Sequence, residues 1–199
     1  MSDPQIDSGK RTWIIASSCA GVVGAGFVAV PFISSFEPSE RARAAGAAVE
    51  VDIADLKPGE KKTIEWRGKP VWIIKRTPEQ LAELPKVDAL LADPKSARKP
   101  DELTPPYARN EGRSIKPDIL VAVGICSHLG CSPSDKFTPG AQASLPDNWA
   151  GGFLCPCHGS TFDMAGRVYK NKPAPDNLEV PPHMYLSDTR ILIGEDKKA

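Results

Sequence analysis

Neither sign of charge dominates this sequence. Its 25 lysines and arginines are matched by 25 aspartates and glutamates over 199 residues. A neutral chain lacks the basic footprint that a nucleic-acid backbone requires, so that class of partner is set aside. No internal repeat is visible. Histidine is scarce, with three residues, and cysteine nearly so, with five. Proline, with 20, and glycine, with 16, are plentiful, which fits a β-rich, loop-rich domain better than a helical bundle.

The scarce residues are not scattered. "CSHLGC" (126–131) and "CPCHGS" (155–160) hold four of the five cysteines and two of the three histidines. That makes six strong ligands, two more than one tetrahedral metal site uses. Each motif offers a Cys and a His on one tight loop, plus one surplus Cys. A structural Cys₂His₂ zinc site is the plain reading. The spacing is not that of a common zinc finger, and zinc leaves the surplus cysteine pair unexplained.

One stretch lacks charge altogether. Thr12 to Phe36, "TWIIASSCAGVVGAGFVAVPFISSF", contains no charged residue. As a helix it would reach about 37 Å, against a hydrocarbon core of roughly 30 Å. It reads as a retained transmembrane helix. The competing reading is a signal peptide cut after Ala45–Ala47 ("AGA"), but signal cores run only about 7–15 residues. Gly21, Ala25 and Ala29, and Ala16, Ala20 and Gly24, form small-residue stripes that permit close helix contact in lipid, or simply an Ala/Gly-rich span. Pro31 lies near its outer end and Cys19 within it, the latter as a small apolar residue. Lys10 and Arg11 before the span balance Arg41 and Arg43 after it, so orientation is weakly encoded. "SGKRTWII" resembles a twin-arginine export signal with Lys in the first arginine's place. Such a signal implies export of a folded domain.

Residues 37–49, "EPSERARAAGAAV", read as a tether between the membrane span and a head that starts near Glu50. In the head, "KTIEWRGKPVWIIKR" (62–76) predicts a hairpin around "RGKP". "TPEQLAEL" predicts a short helix with Thr77 as N-cap, Pro78 at N1 and Gln80 completing a capping box. Residues 92–117 are polar, Pro-rich and irregular. "DILVAVGIC" (118–126) is a buried strand that delivers Cys126 to a loop, and "GFLC" (152–155) does the same for Cys155. Residues 177–194 predict a closing hairpin turning at "SDT". His183 belongs to neither motif and is read as a surface residue. The fold class is mainly β: an antiparallel head with a small cluster-binding part, a short helical insertion and one N-terminal membrane helix.

The two motifs resemble the cluster-binding boxes of Rieske iron–sulfur proteins. The whole chain, with its anchor, tether and head, resembles the Rieske subunit of bacterial quinol–cytochrome c oxidoreductase, the cytochrome bc-type complex. The resemblance implies one [2Fe–2S] cluster, held by Cys126 and Cys155 on one iron and His128 and His158 on the other. Two thiolates in place of four leave the oxidised site less negative, which raises its potential. Cys131 and Cys157 are then the surplus pair, and in an exported domain they should form a disulfide joining the two loops. The resemblance further implies that Ser160 donates to a bridging sulfide. Family members often carry a Tyr two residues later; this chain has Phe162. "KPAPDNL" (172–178) resembles the family's proline loop, with Pro173 and Pro175 shielding the cluster. Leu129 would lie at an exposed apolar tip suited to a quinone pocket, and Gly130 and Gly159 would allow the tight turns.

The implied activity is quinol oxidation, with His158 and His128 as the exposed imidazoles, and electron delivery to a membrane-bound c-type cytochrome. The implied enzyme is a quinol–cytochrome c reductase that contributes to proton translocation. Implied partners are cytochrome b, the c-type cytochrome, quinol and the lipid bilayer, in a dimeric complex. The implied location is the bacterial inner membrane: residues 1–11 cytoplasmic, 12–36 crossing once, 37–49 a tether and 50–199 a periplasmic head. A second family shares the disulfide, an export signal and a Phe after the second box: the small Rieske subunit of periplasmic molybdenum oxidases such as arsenite oxidase. "HLG" in the first box, the proline loop and the long 77–117 insertion favour the quinol enzyme.

Overall fold

The computed structural model describes residues 7–40, 46–98 and 100–196. It divides into two units, Met1–Ala44 and Ala45–Ala199. Residues 41–45, in the middle of the expected tether and including Arg41, Arg43 and the first residue of the "AGA" site, lie outside the described residues.

Among its described residues the first unit contains the long helix α1, Ser8–Ser34. Asp7 caps it by accepting the Gly9 and Lys10 backbone N–H groups at 3.0 and 3.2 Å. The helix begins four residues before the uncharged run and takes Pro31 within its length. Its 27 residues have a mean hydropathy of 1.9 in the most apolar window, and none is buried. At 1.5 Å per residue it is about 40 Å long, enough to cross a bilayer.

Among its described residues the second unit contains three antiparallel, three-stranded sheets. Its strands are β1 Val49–Asp52, β2 Lys61–Trp66, β3 Lys69–Lys75, β4 Ile119–Val123, β5 Ser134–Lys136, β6 Gly152–Leu154, β7 Thr161–Asp163, β8 His183–Tyr185 and β9 Arg190–Ile193. The sheets run β1-β9-β8, β2-β3-β4 and β5-β6-β7. The expected first hairpin is present, with Trp66 opposite Lys69. Arg67 and Gly68 both take positive φ, the signature of the tight turn that matches strand twist. The short helix α2, Pro78–Glu83, carries the expected capping box on Thr77 and Gln80.

The middle sheet explains where the site sits. Strand β4 is buried along its whole length, and β3 is buried from Val71 to Ile74. Alternate residues serve two cores, because side chains on a strand alternate faces. Val71, Ile73, Val121 and Val123 pack with β1 and β9, through Val51, Ile191 and Ile193. Trp72, Ile74, Leu120 and Ala122 pack with Cys126, Phe153, Cys155 and Phe162. The middle sheet is therefore a shared wall, and β4 runs directly into the first cysteine motif.

Two expectations need correction. The closing hairpin is shorter than 177–194, with strands only at 183–185 and 190–193. Pro181 and Pro182 have no N–H to give a ladder and hold the preceding segment out of the sheet. His183 is not a surface residue: it is 1% exposed. It pairs with Ile193 in β9, its Nδ1 lies 2.8 Å from the Pro181 carbonyl, and the Tyr107 ring meets it edge-on at 5.7 Å.

Burial lowers the His183 pKa, against a smaller opposing effect of the Pro181 carbonyl. The unfolded chain then binds a proton more readily than the folded one. The stability this group contributes is complete above an unfolded pKa of about 6.5 and is lost as pH falls below it. The melting temperature should therefore fall more steeply from neutral to mildly acidic pH in the wild type than in His183→Gln. Parallel pH profiles for the two proteins would exclude this role.

Candidate metal centre

The two cysteine motifs close in the same way. In the first, Cys126 N–H donates to Cys131 O at 2.8 Å, and Gly130 N–H donates to Cys126 O at 3.1 Å. In the second, Cys155 N–H donates to Ser160 O at 2.7 Å, and Gly159 N–H donates to Cys155 O at 3.0 Å. Gly130 and Gly159 have φ of +82° and +75°. A Cβ at either would meet nothing within 4 Å, so what these glycines supply is the left-handed backbone, not space. Each loop thus starts at a Cys, folds back four residues later and offers the residues between.

Those residues separate by depth. Cys126 and Cys155 are buried in the core beside Phe153 and Phe162. His128 is half-buried and His158 exposed, and their rings lie 4.8 Å apart, edge to face. Leu129 is 71% exposed at the same tip. Cys131 and Cys157 are joined by a disulfide with Cα atoms 6.7 Å apart, as the sequence led us to expect. The Cys155 sulfur lies within 4.8 Å of both disulfide sulfurs. Those two are spent on each other, which leaves Cys126, Cys155, His128 and His158 as the available donors.

The donor set fits a cationic iron–sulfur centre. Burial raises the Cys126 pKa, and the His128 backbone N–H and the Ser160 hydroxyl oppose that shift as hydrogen-bond partners. Two thiols held together in an apolar pocket need metal charge to become thiolates. The imidazoles stand on the solvent side, so the arrangement offers two sulfurs inward and two nitrogens outward.

The proline loop is tied to both motifs. Ser160 Oγ, fully buried, accepts the Ala174 N–H at 2.9 Å. Its hydroxyl proton remains available to donate toward Cys126. Ser127 makes a reciprocal pair with Asp176: its hydroxyl donates to the Asp176 carbonyl at 2.6 Å and accepts the Asp176 N–H at 3.2 Å. Farther along, Asn177 accepts the Val168 N–H and donates to the Asp93 carbonyl. Pro173 and Pro175 are exposed while Ala174 between them is buried. Sequence reading missed Ser127, whose partner lies 49 residues away, and Asn177, which joins Val168 to Asp93, 84 residues away.

It also missed the ionic frame behind the second motif. Arg76, Arg113 and Arg167 are all fully buried. Arg76 donates to the Gly112, Met164 and Pro117 carbonyls and to Ser114 Oγ. Arg113 donates to the Ala165, Gly166 and Leu178 carbonyls and to Thr104 Oγ1. Burial pushes both guanidinium pKa values down to about 10, with Asp163 acting against it. Asp163 ends β7, the strand leading out of the second motif, and binds Arg167 Nε at 2.8 Å. Thus Arg76 and Arg113, the latter within the polar 92–117 stretch, brace the turn that follows β7 through the Met164, Ala165 and Gly166 carbonyls.

Phe162 is fully buried. A hydroxyl donor at this position would favour the more negative, reduced form of a cluster. Phe162→Tyr is expected to raise the midpoint potential by roughly 40 mV, equivalent to about 1 kcal/mol of differential hydrogen bonding. A redox titration showing no upward shift would refute this.

The sequence is similar to known proteins over nearly its whole length. The family described as "Rieske [2Fe-2S] domain" matches residues 99–182. The family described as "Ubiquitinol-cytochrome C reductase Fe-S subunit TAT signal" matches residues 13–39. The ubiquinol-cytochrome c reductase iron-sulfur subunit of Allochromatium vinosum is 55% identical over 188 residues, covering 94% of this chain and 89% of its own length. The subunit of the same name from Rhodospirillum rubrum is 39% identical over 194 residues, covering 97% and 96%. A solved "Hyperthermophilic respiratory Complex III" structure aligns over 89% of this chain and 97% of its own, at 25% identity and a TM-score of 0.46. With its paired boxes, its disulfide and its apolar helix, the chain belongs to the family of ubiquinol–cytochrome c reductase iron–sulfur subunits, Rieske proteins whose cofactor is a [2Fe–2S] cluster.

Proposed function

We propose that this chain is the quinol-oxidising subunit of a cytochrome bc-type complex. The observation that carries the proposal is the pair of imidazoles, 4.8 Å apart, at a tip that also presents Leu129 to solvent. Cys126 and Cys155 would hold one iron, and His128 and His158 the other. When bound, the [2Fe–2S] cluster supplies a one-electron acceptor of high potential.

The chain's own residues do the remaining work. His158, the more exposed imidazole, accepts the quinol hydroxyl hydrogen bond and takes its proton on a ring nitrogen that the cluster would leave free. His128 is the second proton-accepting imidazole. Leu129 seats the tip in an apolar pocket of cytochrome b. The Cys131–Cys157 disulfide keeps the two loops at fixed separation. Ser127 and Ser160 hold the proline loop, with Pro173 and Pro175, against the site and keep water away. The subunit then delivers its electron to a membrane-bound c-type cytochrome, while the second quinol electron enters cytochrome b. This divided route makes the assembly a translocase, and the family relation supports a dimeric complex.

The uncharged helix and the export-signal match support a single crossing of the bacterial inner membrane at residues 12–36. In that arrangement residues 1–11 are cytoplasmic, 37–49 link anchor to head, and the head, 50–199, is periplasmic. The reported relatives lend no support to the alternative, a small subunit of a molybdenum oxidase.

Low-temperature electron paramagnetic resonance of ascorbate-reduced membranes tests the proposal. A Rieske signal in the membrane fraction that shifts with a quinol-site inhibitor is the expected result. A signal found only in soluble periplasm and indifferent to inhibitor would overturn it.

A further inference from the structure

Residues Tyr169–Lys172 lead from the strand after the second cysteine motif into the proline loop, and two clefts share them as lining. The first has a volume of about 380 Å³. Its apolar wall is Leu90, Pro146, Trp149 and Tyr169, with the Trp149 and Tyr169 rings 5.5 Å apart. The second, about 340 Å³, is bounded by Arg98 and by Ala174 and Pro175 of the proline loop. Lys170 and Lys172 line both. Each cleft falls within the size range of ligand-binding pockets.

The charged side chains lining the two clefts are all cationic. The whole sequence is neutral, yet among the described residues no Asp or Glu lines either cleft, while three cations do. Four carboxylates adjoin wall residues in sequence without lining either cleft: Asp88, Asp93, Asp176 and the exposed Asp147, between Pro146 and Asn148. The cations are partly pre-arranged. Lys170 Nζ donates to the Ala89 carbonyl at 2.8 Å, and Arg98 donates to the Pro175 carbonyl at 2.9 Å. An ammonium has three donors and a guanidinium five, so each keeps capacity for an incoming carboxylate. Leu90, 46% exposed, leaves apolar surface uncovered at the mouth of the aromatic cleft.

We propose that the two clefts form one groove that binds an extended acidic segment of a partner subunit, with its carboxylates on Arg98, Lys170 and Lys172 and one apolar side chain against Leu90, Trp149 and Tyr169. Complementary charge gives such a contact its rate and register, and the apolar anchor gives it specificity. Because Arg98 holds the Pro175 carbonyl, a bound carboxylate touches the same residue that tethers the proline loop. The proposal rests on the functional reading above only in requiring a partner subunit.

A zero-length carbodiimide, which joins an ammonium to a carboxylate in contact with it, tests this in the purified complex, with cross-linked peptides identified by mass spectrometry. The expected product joins Lys170 or Lys172 to an Asp or Glu of another subunit, within a segment that also carries an apolar residue. Its yield should fall several-fold in Leu90→Ser, a surface change that leaves both lysines in place, and rise in Asp147→Asn. No inter-subunit link from these two lysines, or links only to this chain's own carboxylates, would overturn the proposal. So would loss of co-purifying anionic phospholipid in Lys170→Gln/Lys172→Gln without any protein link, which would assign the groove to a lipid headgroup. An unchanged yield in Leu90→Ser would overturn the apolar anchor. The inhibitor-dependent resonance shift is read separately, so failure of quinol contact and failure of this groove are distinguishable.

Discussion

Replacing both Cys131 and Cys157 with serine is expected to lower the stability of the head by about 3.5 kcal/mol, the loop-closure value for a cross-link of this span. The bond joins residues 26 apart. Without it the unfolded chain regains the freedom the cross-link removed. The native state also loses the covalent tie between its two donor loops. Cys131 packs against the core while Cys157 is exposed, so the serine at 131 adds a desolvation cost to the entropic one. For a domain of this size the change corresponds to a fall in melting temperature of roughly 10 °C. Reduction of the wild-type protein should reproduce the loss, and reduction of the double variant should change nothing further. An unaltered melting midpoint in the double variant would mean that backbone closure of the two loops, through Cys126–Cys131 and Cys155–Ser160, suffices alone.

Asp163→Ala should be comparably damaging, by about 3–5 kcal/mol, the usual consequence of removing one partner of a buried ion pair. Asp163 accepts the Ala165 and Arg167 N–H groups at Oδ1 and Arg167 Nε–H at Oδ2. Arg167 would keep Asp88, which is 39% exposed in its side chain, and the carbonyls of Leu84 and Pro94. Arg76 and Arg113 would lose the carboxylate that opposes their desolvation. The damage should be coupled. Adding Arg167→Met to Asp163→Ala should recover part of the loss, because the uncompensated charge leaves with its side chain. Denaturant unfolding of the two single variants and the double variant measures the coupling. Simple additivity would show that Asp163 acts as a backbone cap rather than as a counter-ion.

The ionic frame also shows where reading a sequence stops. Arg76, Arg113 and Arg167 are spread over 92 positions, and residues 92–117 read as a polar, irregular surface insertion. Nothing local marks Arg113 for burial, since its partners are the carbonyls of Ala165, Gly166 and Leu178. His183 failed for the same reason. Next to two prolines it looks like a loop residue, but pairing with Ile193 turns it inward. The β2–β3 hairpin and the Thr77–Gln80 capping box were legible because each is closed by contacts within a few residues.

By itself the sequence determined the donor chemistry, the paired loops that carry it, the apolar helix and the surplus cysteines. These depend on residue type and short spacing, which fix what a loop can chelate and what a helix can cross. Only the tertiary structure decided depth and company. It buried Cys126 and Cys155 while leaving His158 and Leu129 outside. It fastened the proline loop through Ser127 and Ser160, set Asp163 against buried arginines, and lined two clefts with Lys170 and Lys172. The physical reason is that burial and long-range hydrogen bonds belong to pairs of distant segments, and a linear pattern carries no term for which distant segments meet.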